Sequence, residues 1–266
     1  MNNKRHFKRN LIIVMFIMLS IIGILITISF HLAQTKSCNS CPIVFKPKSE
    51  DLSKIDNYLN KGYYELAEEK LKQAIKDNPN DADLYFKYAT MLEYQKRYND
   101  AAKYYEKYIT LKPPTLDILI PLSLIYDKQK QYKQAQKHLK DALKIAPNSD
   151  VANNNLCWVL SEDKQYNEAL PYCQKALKIS PGSSYIIDSM GYVLVGLNKI
   201  DEAIDYYNQA ISIDPDIAEY HRHLGDAYLL KKENKKALEH YKKALELEPN
   251  GAYVEEVKQK IKTIGE

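Results

Sequence analysis

Six prolines, Pro79, Pro113, Pro147, Pro181, Pro215 and Pro249, fall 34 residues apart along the chain. A period of that length restricts the fold to an array of like units, because so short a unit cannot bury its own apolar face and must stack on its neighbours. Aligned on the period, the chain divides without insertion into 48–81, 82–115, 116–149, 150–183, 184–217 and 218–251. Position 20 of the six units reads Ala67, Ala101, Ala135, Ala169, Ala203 and Ala237, and position 27 reads Ala74, Tyr108, Ala142, Ala176, Ala210 and Ala244. Position 8 reads Ile55, Ala89, Ser123, Cys157, Gly191 and Gly225. Larger residues at positions 7, 11 and 24 lie three or four residues from these small ones, on the same helical face. The pattern predicts two antiparallel helices per unit, in closest contact where side chains are small, with the proline ending each second helix.

This arrangement resembles the tetratricopeptide repeat over residues 48–251. The resemblance implies an all-α, right-handed superhelical solenoid of six helix–turn–helix units that binds protein or peptide ligands in a concave groove. The sixth unit is nearest the family pattern, with Leu224, Gly225, Tyr228, Ala237, Tyr241, Ala244 and Pro249 in register, whereas Lys54 and Ile55 replace the large–small pair in the first. Gly62, Ala67, Ala74 and Pro79 still hold that unit's second half. Tyr108 is oversized for position 27, and Pro121 predicts a kink or a late start in the first helix of the third unit. Beyond Gly251, apolar Tyr253, Val254, Val257, Ile261 and Ile264 at helical spacing predict a capping helix within 252–266.

The N-terminus is of another kind. Residues 11–30 read LIIVMFIMLSIIGILITISF, twenty residues without a charge and long enough to cross a bilayer as one helix. No clean cleavage site follows, so an uncleaved anchor is expected rather than a signal peptide. Lys4, Arg5, Lys8 and Arg9 precede the span and account for the whole formal charge of +4. Their position puts residues 1–10 in the cytoplasm and the repeats on the extracytoplasmic side. Removing these four from the 38 basic residues leaves 34 against 34 acidic in residues 11–266, so the body offers no electrostatic footprint for nucleic acid. Residues 31–47 form a linker stiffened by Pro42 and Pro47. Its Cys38 and Cys41 make a C-x-x-C that serves either as a tether disulfide or plain thiols, or as the centre of a thiol-redox accessory protein whose repeats select clients.

Little else suggests chemistry. The six histidines form no His-Glu-x-x-His pair, and His221 and His223, two apart on a helix, point in different directions. The eight glycines form no phosphate loop, and no second C-x-x-C completes a zinc site, so no enzyme, metal or cofactor is expected. Cys157 and Cys173 occupy positions 8 and 24 of one unit; buried thiols acting as small hydrophobes are expected, a disulfide between the two helices being the alternative.

The resemblance also assigns the groove to first-helix positions 2, 5, 9, 12 and 13. In the last three units these give Asn154 and Trp158, then Tyr185, Asp188 and Tyr192, then Arg222 and Asp226, the expected partner-binding residues. Aromatic and arginine side chains are those that dominate interface energies. No unit carries the Lys/Asn pair at positions 5 and 9 with which some arrays capture a C-terminal carboxylate. The earlier units are more apolar there, with Phe86, Ile120 and Leu124, which suits a ligand with an aliphatic end and a polar end. The stretches NNLCWVL (154–160), IDSMGYVL (187–194) and HLGDAYL (223–229) are similar to bacterial envelope proteins of this family. Those proteins act in outer-membrane assembly, pilus biogenesis, cytochrome maturation or exopolysaccharide export, so the resemblance implies a scaffold for an envelope complex.

Overall fold

The computed structural model describes residues 49–265. The basic tail, the span 11–30 and the linker with Cys38 and Cys41 lie outside the described residues. Within them the chain is all helical: α1 (Ser49–Asn60), α2 (Tyr64–Asp77), α3 (Ala82–Tyr94), α4 (Tyr98–Leu111), α5 (Leu116–Lys128), α6 (Tyr132–Ile145) and α7 (Asp150–Glu162). They are followed by α8 (Tyr166–Ile179), α9 (Ser184–Gly196), α10 (Ile200–Ile213), α11 (Ala218–Leu230), α12 (Asn234–Leu247) and α13 (Val254–Gly265). Among the described residues no helix is long and apolar enough to cross a membrane.

The first twelve helices pair as α1/α2 through α11/α12, and the second members begin at Tyr64, Tyr98, Tyr132, Tyr166, Ile200 and Asn234, again 34 residues apart. Their common geometry starts in the turn. Each first helix ends in a residue of left-handed backbone at position 15: Gly62 at φ 72°, then Lys96, Lys130, Lys164, Asn198 and Lys232 at φ 57–62°. The following N–H reaches back to the helix, Arg97 N to Leu92 O at 2.8 Å and Gln165 N to Leu160 O at 2.8 Å, which is the Schellman closure. Only Gly62 adopts this conformation without a steric cost from a side chain.

The small residues then set how closely the helices meet. All six alanines at position 20 are completely buried. A Cβ at Gly191 would lie 2.6 Å from Tyr207 Cε1, and one at Gly225 would lie 2.7 Å from Tyr241 Cδ1, so the glycines make room for a buried ring at position 24. In the fourth unit the same crossing is covalent. Cys157 and Cys173 are both fully buried and joined by a disulfide, their Cα atoms 5.3 Å apart. The expectation of two free thiols therefore gives way: positions 8 and 24 face each other so directly that two cysteines there fall within bonding distance.

Pro121 does not delay α5, which begins at Leu116 in register with the other first helices. The proline lies on the sixth residue, beyond the first turn, where its missing N–H leaves the Asp117 carbonyl without its usual partner. Pro171 holds the equivalent place in α8, a feature the period alone did not single out. Tyr108 is accommodated, buried against Phe86 with ring centroids 6.2 Å apart. At the far end α13 buries Val254 and Val257 and rests Ile261 and Ile264 on the last units. Lys260, 34 residues after Asp226, bonds that carboxylate at 2.6 Å, so the cap continues the phase of the array.

Candidate functional site

Because first helices repeat in phase, the residues at position 9 form a column: Leu124, Trp158, Tyr192 and Asp226, with Lys260 closing it. Trp158 and Tyr192 are half-buried, and their rings, from α7 and α9, lie 4.8 Å apart between centroids. Leu124 holds the equivalent position on α5 and is 39% exposed. The Tyr192 hydroxyl donates to Glu162 Oε1 at 2.6 Å, which fixes the ring; burial and this carboxylate together raise the phenol's pKa.

Beneath the two rings lies His223, only 2% exposed, with centroids 5.5 Å from Tyr192, 6.2 Å from Trp158 and 5.6 Å from Tyr207. Arg222 Nη2 donates to His223 Nε2 at 2.7 Å; a guanidinium cannot accept, so Nδ1 carries the imidazole proton. That N–H donates to both oxygens of Asp188, at 2.9 and 3.0 Å. Arg222 in turn meets Glu219 at 3.3 Å and Asp226 at 3.6 Å and lies 5.7 Å from the Tyr253 ring centroid. Asp226 Oδ1 also accepts from Tyr241 at 2.5 Å and from Lys260 at 2.6 Å.

Of the seven residues expected to line a groove, Trp158 and Tyr192 form the half-buried platform, and Arg222 and Asp226 form a charged pair at its edge. Asp188 faces inward, 4% exposed and committed to His223, so it organises the platform's floor rather than offering a free carboxylate. Asn154 is 5% exposed, and its Oδ1 has no partner. Tyr185, 45% exposed at position 2, stands apart from these contacts. Towards the first units a cleft of about 600 Å³ is lined by apolar Leu59, Tyr64, Phe86, Met91 and Tyr94 together with polar Asn60, Lys61, Lys87 and Thr90; of the apolar residues expected there it includes Phe86 but not Ile120 or Leu124. His221 and His223 do diverge: His221 turns to His240 and the Pro215 carbonyl. What sequence reasoning missed is that His223, at position 6, answers Asp188, at position 5 of the preceding unit.

It also missed Asp127. This carboxylate at position 12 of α5 is partly buried, one of its oxygens has no hydrogen-bond partner, and burial with Glu162 nearby pushes its pKa up to about 6. Unfolding would return it to the ordinary range near 4, so between about pH 4 and 6 the folded chain keeps a proton that the unfolded chain releases. The resulting penalty is absent at low pH and complete above about pH 6. Asp127→Asn should accordingly raise stability by roughly 1–2 kcal/mol near pH 7.5 and by little near pH 4.5, as thermal melts at the two values would show.

Models of the tetratricopeptide repeat match residues 52–114, 92–156, 154–180 and 218–250, and a further TPR model matches 191–232. The described part of the chain is thus an array of tetratricopeptide repeats, and these matches indicate no catalytic family. Among solved structures, YrrB, a TPR protein with an unusual peptide-binding site, is 25% identical with a TM-score of 0.51, the match covering 71% of this chain and 97% of that one. The anaphase-promoting-complex hetero-tetramer Cut9–Hcn1 gives a TM-score of 0.63 at 18% identity over 81% of this chain and 42% of that one. A thermophilic TPR protein of Thermus thermophilus, TTC0263, gives 0.59 at 19% identity over 69% and 98%. The last two show the fold alone. No curated sequence gives a match.

Proposed function

We propose that this protein is a membrane-anchored scaffold that holds a protein or peptide segment in the concave groove of its repeats and so helps assemble a membrane or envelope complex. The observation that carries the reading is the Trp158–Tyr192 platform, two half-buried rings 4.8 Å apart presented by successive first helices. Such rings offer large apolar area at small entropic cost and recur as the residues that dominate binding energy. The peptide-binding site of YrrB, the neighbour at 25% identity, supports a peptide as the ligand. The uncharged segment 11–30 behind four basic residues supports the anchor and the extracytoplasmic placement of the repeats. The Cys157–Cys173 disulfide accords with an oxidising compartment.

The test compares partners recovered by the full chain with those recovered by Trp158→Ala and Tyr192→Ala. Removing the indole is expected to weaken the groove partner by about 2 kcal/mol or more, roughly thirtyfold in Kd, while the helical circular dichroism signal is retained. Equal recovery by folded native and variant chains would move the partner to another surface.

A further inference from the structure

The charge balance of the body conceals a local imbalance beside the platform. Glu162 follows Trp158 by one helical turn on α7 and accepts the Tyr192 hydroxyl. Asp127, on the preceding first helix, lies close enough to Glu162 to feel its charge, and one of its oxygens has no hydrogen-bond partner. The cations nearby make their hydrogen bonds and ion pairs elsewhere. Lys128 bonds the Tyr98 hydroxyl at 3.0 Å and lies over that ring at 4.3 Å. Arg222 is held by Glu219 and Asp226, and Lys260 by Asp226 and Glu256. Asp163, the other acid at this edge, receives Gln136 and Gln165, which are neutral. Among the described residues, two carboxylates that form no ion pair thus lie beside two aromatic faces, with Lys128 offsetting only part of the charge at Asp127.

A second observation points the same way. Asn154, one turn before Trp158 on α7, is nineteen-twentieths buried, yet its Oδ1 accepts no hydrogen bond. Uncompensated polar groups of this kind cost stability in the free chain and are satisfied when a complementary donor arrives. The orphan oxygens of Asp127 and Asn154 are acceptors and call for a donor, and the adjoining π faces favour a cationic one; the orphan donor Arg222 Nε belongs to the charged pair at the platform's other edge.

We propose that the bound segment presents a lysine or arginine side chain that lies over Trp158 and Tyr192 with its charged head between Asp127 and Glu162. This rests on the groove reading above and adds to it the chemistry of the ligand: a basic peptide segment, whose apolar continuation runs toward Leu124 and the cleft beside Phe86. The aromatic rings bind the aliphatic stem or the guanidinium plane, and the carboxylates receive the N–H donors.

The experiment is selection from a display library of random peptides on the immobilised full chain in nonionic detergent. It runs in parallel on Trp158→Ala and on the double variant Asp127→Asn with Glu162→Gln, in which Gln still accepts from Tyr192. The expected result is enrichment of peptides bearing Lys or Arg on the native chain, loss of that enrichment by about tenfold on the double variant, and weakening of the selected peptides with added salt. Circular dichroism melts verify that the double variant is folded. Peptides that depend on Trp158 but lack basic residues, or that bind the double variant equally well, would overturn the proposal and leave the groove reading intact. Failure to enrich any peptide that depends on Trp158 would overturn both.

Discussion

Replacing His223 by Leu is expected to destabilise the fold by about 3 kcal/mol, because the substitution removes the donor that satisfies both oxygens of a carboxylate only 4% exposed. The cost comes from stranding Asp188, not from losing the imidazole's packing, since Leu fills much of the same volume between Tyr192 and Tyr207. A double variant distinguishes the two. With Asp188→Leu added, no stranded carboxylate is left behind, and most of the loss should be recovered, as buried polar pairs replaced whole by apolar residues are commonly near neutral. Chemical unfolding of the native chain, both single variants and the pair would give the coupling; additive losses would mean that the two residues act independently.

Gly225→Ile is expected to cost a similar amount, about 3 kcal/mol, for a steric reason. A Cβ there already falls 2.7 Å from two carbons of Tyr241, and that ring cannot swing away, being wholly buried with its hydroxyl bonded to Asp226 at 2.5 Å. The first unit solves the same crossing with Ile55 facing Leu71, both fully buried. Gly225→Ile combined with Tyr241→Leu copies that pair and should regain about half of the loss, with Lys260 still serving Asp226 at 2.6 Å. Unfolding midpoints of the three variants check this, and a double variant no better than Gly225→Ile would show that the crossing is not governed by summed volume.

Most of the fold was legible in the sequence because the features that build it are local and repeated. A residue such as Ala135 is small for the same reason six times over, and the period exposes that reason. The turns were legible only where glycine occupied them: Gly62 signals a left-handed residue, whereas Lys96, Lys130, Lys164 and Lys232 adopt the same conformation with side chains that give no sign of it. There the backbone closure between helices imposes φ. Of the site, the platform was readable from phase, since Trp158 and Tyr192 share position 9. Its floor was not. Asp188 and His223 meet one position out of phase, across two units, and nothing within one unit announces that pairing. Nor could composition show that Asn154 would be buried rather than offered to a ligand, since burial depends on how the neighbouring first helices close over it.

The constancy of the period governs how such a surface can be edited over generations. One residue gained or lost inside a unit would rotate everything after it and scatter the column that aligns Leu124, Trp158, Tyr192, Asp226 and Lys260. A whole block of 34, duplicated or excised, would leave every neighbour still matched to the next. The platform can therefore be lengthened or shortened only in whole rungs, and its chemistry changed one rung at a time.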